Sequence, residues 1–183
     1  KRVIRFSIPT IVFSISAFVF ISSDRFLIKH FIGIEAVGHY SAIYQVASLI
    51  SVLGMSLNAA WIPWLFENLK KKDAKTDKFI VKISYILMAA FLMIGLLFCL
   101  LFPIISKIIL TKGYYSHISV GIPLIIGFVF QTFYFIVSPY ISYTETTKYL
   151  AFGGIGVAVI NIVLNLFLIP KFGILGAGYS NCI

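Results

Sequence analysis

The run from Ile80 to Phe102 carries a single charge, Lys82, close to its start. In water such a segment would have to be hidden on every face. In a bilayer it needs only length, since about 20 residues rising 1.5 Å each cross the hydrocarbon. Runs from Ile4 to Ser23, Val37 to Trp61, His117 to Tyr140 and Tyr149 to Ile169 also have that length, and a further one starts near Ile174. Barrel strands are about half as long and alternate polar with apolar residues, whereas these runs are apolar all round. The expected fold is therefore all-α, a polytopic helical membrane protein with five spans and the start of a sixth. The approximate boundaries are 4–23, 37–61, 80–102, 117–140, 149–169 and 174–183, within one transmembrane unit over 1–183.

Composition supports the same class. Of the 183 residues, 60% are hydrophobic and 11% are charged, against roughly 25% charged in soluble domains. Mean hydropathy is +1.02. The net charge of +9 would suit nucleic acid, but the basic residues flank apolar runs and no soluble basic domain is present, so no nucleic-acid partner is expected. The chain starts at Lys1 and stops inside an apolar segment at Ile183, so it is expected to be a fragment. The first apolar run lacks a small-residue cleavage site and does not read as a signal peptide.

Lysine and arginine set the orientation. Ten of the fifteen fall on one side if the spans alternate: Lys1, Arg2, Arg5, Lys70, Lys71, Lys72, Lys75, Lys78, Lys82 and Lys148. Arg25, Lys29, Lys107, Lys112 and Lys171 fall on the other. The polar connection Glu67–Lys78, a dozen residues, is expected in the cytoplasm. The connections 25–36, 107–116 and 170–173 are expected to face outward.

No catalytic grouping, phosphate-cradling glycine loop or metal-ligand spacing stands out, and no cofactor is expected. His30, His39 and His117 are scattered near span ends. Cys99 and Cys182 sit in apolar stretches without a CxxC. The polar residues inside the spans say more. Gln45, Ser48, Ser51 and Asn58 lie in the second, Gln131 and Thr132 in the fourth, and Asn161 and Asn165 in the fifth. The two asparagines are one turn apart and share a helix face. Such residues either line a cavity for a hydroxylated or phosphorylated group, or bond helix to helix at about 0.6 kcal/mol on average. Pro9 would kink the first span and is a candidate hinge. Gly153, Gly154 and Gly156 are expected to pack a neighbouring helix closely. Asp24 and Arg25 read as a local ion pair at headgroup level, or as an arginine offered to an anionic substrate. Arg5, near the inner end of its run, either snorkels or faces a cavity. After Asn165, Pro170 and Gly173 are expected to break the helix into an outer-face turn.

The order of these features resembles the C-terminal half of bacterial polysaccharide (O-antigen, Wzx-type) flippases, in the multidrug/oligosaccharidyl-lipid/polysaccharide exporter superfamily. Phe6-Ser7-Ile8-Pro9 followed by Ser23-Asp24-Arg25-Phe26-Leu27 looks like the family's seventh helix. Val37-Gly38-His39-Tyr40-Ser41-Ala42-Ile43-Tyr44 looks like the start of the eighth, and Ala59 to Phe66 like its close. Asn161 to Gly178 looks like the junction of the eleventh and twelfth. The resemblance implies a partial second lobe of a two-lobe transporter in the bacterial inner (plasma) membrane. It also implies movement of an undecaprenyl-diphosphate-linked oligosaccharide between leaflets, with no bond chemistry. Its implied partners are that lipid-linked oligosaccharide, membrane lipids, and a polysaccharide polymerase with its chain-length regulator. Relatives in the superfamily hold the pyrophosphate in a cationic cavity, for which Arg5, Arg25, Lys29 and Lys82 are eligible here. Gln45 and Gln131 are candidates for the sugars. A multidrug antiporter, a lipid II flippase, and a membrane-embedded glycan polymerase or ligase remain alternatives.

Overall fold

The structure is a computed structural model that describes residues 22–143 and 148–182, together with Ile11, Ser14, Ile15 and Phe18. The candidates Arg5 and Pro9 lie outside the described residues. Every regular element among the described residues is helical, as the apolar, non-alternating runs require. Helix α1 is described over residues 22–31. It is followed by α2 (Ile34–Ala47), α3 (Leu49–Leu69), α4 (Ala74–Ile109), a 3-10 helix (Lys112–Val120), α5 (Gly121–Tyr143), α6 (Lys148–Phe172) and α7 (Ile174–Cys182). Four stretches among the described residues are long and apolar enough to cross a membrane: Leu49–Leu69, Ala74–Ile109, Lys112–Tyr143 and Phe152–Phe172.

Several helices outrun their apolar windows. α4 is 36 residues long, or about 54 Å, well beyond a hydrocarbon core of about 30 Å. α2 and α3 meet at Ser48 almost without a break. The Ser48 N–H donates to the Tyr44 carbonyl at 2.8 Å, and the Val52 N–H donates to the Ser48 carbonyl at 3.2 Å. The polar stretch 67–78, expected as a long connection, is mostly helix. Only Lys70 to Asp73 link α3 to α4. Lysine, glutamate and leucine continue a helix readily outside the bilayer. Asp73 starts the next one by accepting the Thr76 N–H at 3.3 Å.

The expected break after Asn165 also shifts. Pro170 lies inside α6, because a proline near a helix end sacrifices only one backbone bond. The turn is made by Gly173 alone, at φ 62, with its N–H donating to the Ile169 carbonyl at 2.8 Å. Gly33, at φ 128, plays the corresponding part between α1 and α2. An L side chain adopts neither angle easily.

Helix α5 is the central post. α3, α4 and α7 all pack on it, and α6 pairs with α7. Ile28, Tyr40, Ile43, Phe102, Leu124 and Ile169 form the larger core, and Trp61, Leu65, Ile80 and Ile136 a smaller one toward the lysine-rich connection. The smaller core is pinned by the Trp61 indole N–H donating to the Ile136 carbonyl at 3.0 Å. In lipid, apolar helices gain little by touching one another, so close backbone approach matters more. A Cβ on Gly127 would sit 2.6 Å from the Asn181 carbonyl oxygen, and one on Gly176 2.3 Å from that of Leu168. These two glycines seat α7 between α5 and α6. Gly153 and Gly156, expected to do such packing, would each carry a Cβ with no described atom within 4 Å. They lie on a face of α6 turned away from the other described helices.

Gly176→Ala is expected to destabilise the protein by about 1–3 kcal/mol, the usual cost of overpacking. Gly153→Ala should be neutral or stabilising, by up to about 1 kcal/mol, because alanine is the better helix former. Thermal unfolding of the two variants in one detergent compares them directly.

Candidate functional site

Two polar arrangements stand out, one buried and one exposed. The buried one centres on Asp24. This side chain is 1% exposed, so its carboxyl oxygens must find donors within the protein. Tyr40 on α2 donates its hydroxyl to Oδ2 at 2.8 Å. Asn165 on α6 donates Nδ2 to Oδ1 at 2.6 Å. Asn181 on α7 donates Nδ2 to Oδ2, and also to the Tyr40 hydroxyl at 2.9 Å.

Further bonds hold those donors in place. The other Asn165 bond from Nδ2 runs to Asn161 Oδ1 at 3.1 Å, and Ser180 donates its hydroxyl to Asn165 Oδ1. Ser23 donates to Asn161 Oδ1 at 3.0 Å, and Asn161 Nδ2 to the Ser180 carbonyl at 3.3 Å. Every member thus has a partner, and the network joins α1, α2, α6 and α7. Chain geometry explains the meeting. Asp24 lies nine residues before Gly33 and Tyr40 seven after it, while Asn165 and Asn181 each lie eight residues from Gly173. At 1.5 Å per residue all four sit about 10–14 Å from the two glycine turns. Two helical hairpins with matching arms therefore bring their polar residues to one level.

The sequence suggests that Asp24 pairs with Arg25 at a headgroup. Asp24 instead points into the bundle, because adjacent helical residues face about 100° apart. The neighbouring Arg25 lies half-buried on the outside of the same pair of helices. Its Nε donates to the Ser41 hydroxyl at 3.3 Å, and its guanidinium lies 4.9 Å from the Tyr44 ring centroid. That contact has the geometry of a cation–π pair, worth about 0.5–1 kcal/mol when exposed.

Arg25 opens the exposed arrangement. Ser41, Gln45, Ser48 and Ser51 follow at spacings of four, three and three, which place them on one face of the α2–α3 rod. Gln45 is exposed. Ser51 donates to Gln131 Oε1 on α5 at 2.9 Å, which brings that glutamine to the same stripe. Lys29 is exposed one turn beyond Arg25 on α1. Four of the candidates, Arg25, Lys29, Gln45 and Gln131, thus fall along one side of the molecule, cations at one end and amides along the rest. The stripe from Ser41 to Ser51 is about 15 Å long. Lys82 is exposed on α4.

Asn161 and Asn165 belong to the buried network rather than to the stripe. Sequence reasoning does not find Asp24, Tyr40, Ser180 and Asn181 as members of it. The signal available was a carboxylate nine residues, and two amides eight residues, from two glycines that reverse the chain. Among the described residues, no three histidine, cysteine or acidic side chains are placed to share a metal ion. The histidines also fall differently than their sequence positions suggest. His39 and His117 come together with ring centroids 5.2 Å apart.

Comparison with known proteins adds the following. Residues 1–69 match the family described as Polysaccharide biosynthesis protein. This stretch holds α1, α2, α3, Arg25, Gln45, Asp24 and Tyr40, and it bears out the resemblance drawn from the sequence motifs that fall within it. The chain is also 30% identical, over 186 residues, to an uncharacterized membrane protein of Methanocaldococcus jannaschii. That alignment takes in 99% of this chain and 42% of the relative, so the chain spans less than half of that protein's length. No solved structure matches the chain.

Asn165→Ala removes a donor from the buried Asp24 carboxyl, while the Ser180 hydroxyl keeps the Ala177 carbonyl as an acceptor at 2.9 Å. It should destabilise the protein by about 1–3 kcal/mol. Ser51→Ala removes an exposed bond and should change stability by less than about 0.5 kcal/mol. Melting temperatures in detergent, read side by side, check the difference.

Proposed function

We propose, from the match of residues 1–69 to the polysaccharide biosynthesis family, that this chain is second-lobe machinery of a flippase. Its cargo is an undecaprenyl-diphosphate-linked oligosaccharide repeat unit, moved from the inner to the outer leaflet of a bacterial inner membrane by alternating access. No bond is made or broken. The chain is a multi-pass helical membrane protein, and its matched segment carries both the buried hub's carboxylate and the basic end of the exposed stripe. The observation that carries the reading is this coincidence of the family match with an exposed, ordered row of cation, hydroxyl and amide groups on a chain that is 60% hydrophobic.

Each part has a role in this reading. Arg25, stacked on Tyr44 and tethered to Ser41, receives the diphosphate, for which a planar guanidinium is well suited. Lys29 adds charge one turn further out. Gln45, Ser48, Ser51 and Gln131 offer hydroxyl and amide partners to the sugars. Exposed apolar faces such as Leu96, Leu100, Val159 and Phe167 suit lipid tails. The hub of Asp24, Tyr40, Asn165 and Asn181 welds four helices into one body, which is what rocking of one lobe against another requires. The glycine turns would lie at the outer membrane edge under the charge-derived orientation, and the hub then falls near mid-membrane. Arg5 and Pro9, as inner cation and hinge, remain part of the proposal. Newly exposed repeat units would pass to a polysaccharide polymerase and its chain-length regulator.

The test is flipping by the full-length protein. In cells lacking it, lipid-linked repeat units should accumulate on the cytoplasmic leaflet, and the wild-type gene should restore surface glycan. Arg25→Ala, at matched membrane levels, should reduce flipping at least tenfold, and Arg25→Lys should recover part of it. Normal surface glycan in a deletion strain with no redundant flippase would overturn the proposal. A multidrug antiporter would instead show drug efflux that tracks the gene. A lipid II flippase would show arrest of cell-wall synthesis, and a polymerase or ligase would show altered chain length with normal flipping.

A further inference from the structure

At the end of the molecule marked by Gly33 and Gly173 there is a pocket of about 400 Å³, within the range of small-ligand sites. Its walls come from segments far apart in the chain. Glu35 and His39 belong to the first turns of α2, His117 to the 3-10 helix, and Phe172 and Ile174 to the α6–α7 corner. The carboxylate and two imidazoles are gathered on one side. The His39 and His117 rings are 5.2 Å apart, edge to face, and Glu35 Oε1 is 3.8 Å from His39 Nε2, too far for a hydrogen bond. His39 Nδ1 is buried and has no hydrogen-bond partner among the described residues. A buried ring nitrogen left so is costly unless something enters to meet it.

We propose that this pocket binds one ring of a neutral sugar. The lining chooses the ligand class by elimination. A purely apolar guest would leave the buried His39 Nδ1 unmet. An anion would meet the Glu35 carboxylate. A metal ion would need three ligands in reach, and no such group exists among the described residues. A sugar ring satisfies both halves of the lining. Its hydroxyls are donors and acceptors, which matches a carboxylate that only accepts and imidazoles that do both. Its C–H face suits an aromatic ring, whose face is electron-rich, and Phe172 is 54% exposed. The identification of that sugar as part of the transported oligosaccharide rests on the flippase reading; the binding itself does not. Under the same orientation the pocket lies at the outward end, where it would hold the leading sugar as it leaves.

The experiment uses full-length protein in nanodiscs and saturation-transfer NMR with four probes: the methyl glycosides of glucose, galactose, N-acetylglucosamine and glucuronic acid. At least one neutral glycoside should receive saturation, and the glucuronide should not. Glu35→Gln alters an exposed side chain and keeps its shape. It should weaken neutral-glycoside binding at least tenfold and admit the glucuronide. His117→Ala and Phe172→Ala should each weaken binding by a similar factor, while Lys75→Ala, at the far end of α4, should not. Absence of transfer to every neutral glycoside overturns the proposal, as does binding that all three pocket variants leave unchanged. Tight zinc binding that His117→Ala abolishes would also overturn it, in favour of a metal site. Flipping is assayed in the same preparations. Wild type that flips but binds no glycoside removes the pocket and leaves the transport reading intact; wild type that binds a glycoside but does not flip does the reverse.

Discussion

The carboxyl group of Asp24, sealed from solvent, organises the bundle around it. Its oxygens are met by Tyr40, Asn165 and Asn181, from three different helices. Removing a carboxyl from water is expensive, and the cost is offset only when all of its partners are in position together. That condition fixes the relative height of α1, α2, α6 and α7. Apolar contact could not do so, because one leucine facing hydrocarbon is much like another, and sliding helices past each other in lipid costs little hydrophobic energy.

Small residues make the hub reachable. α7 can present Asn181 to Asp24 only because Gly127 and Gly176 let its backbone lie against α5 and α6. The two glycine turns act at the other end of the same arms. With about equal numbers of residues between turn and hub on each arm, the hairpins meet in register. Close packing, turn conformation and polar satisfaction thus constrain one another, and a change in any of them is felt by the rest.

The exposed stripe depends on this frame. Arg25 and Asp24 are neighbours in sequence, yet Asp24 faces the interior and Arg25 the side of the α1–α2 pair. The buried residue holds the helix at a set rotation, and that rotation points Arg25 at Ser41 and Tyr44. Arg25 therefore owes its position to the network of the residue beside it. The stripe's remaining members follow from helical spacing along a rod that passes Ser48 without unwinding.

The amino-acid sequence by itself determined the class of this protein. Long apolar runs have few options other than membrane helices, because no other single segment satisfies its own backbone in hydrocarbon. The family resemblance was also legible, since residues such as Pro9, Asp24, Arg25 and Gly38 come in a telling order within the matched segment. Helix ends were less so: lysine and glutamate continue a helix past the bilayer, and Pro170 near a terminus does not stop one. Only the tertiary structure decided which polar residues meet. Asp24 and Asn181 are separated by 157 positions, and His39 and His117 lie on separate helices with all of α3 and α4 between them. Local periodicity tells which face a side chain takes on its own helix but nothing about what stands opposite. That depends on how hairpins of about equal arm length stack, a property of the whole assembly rather than of any segment.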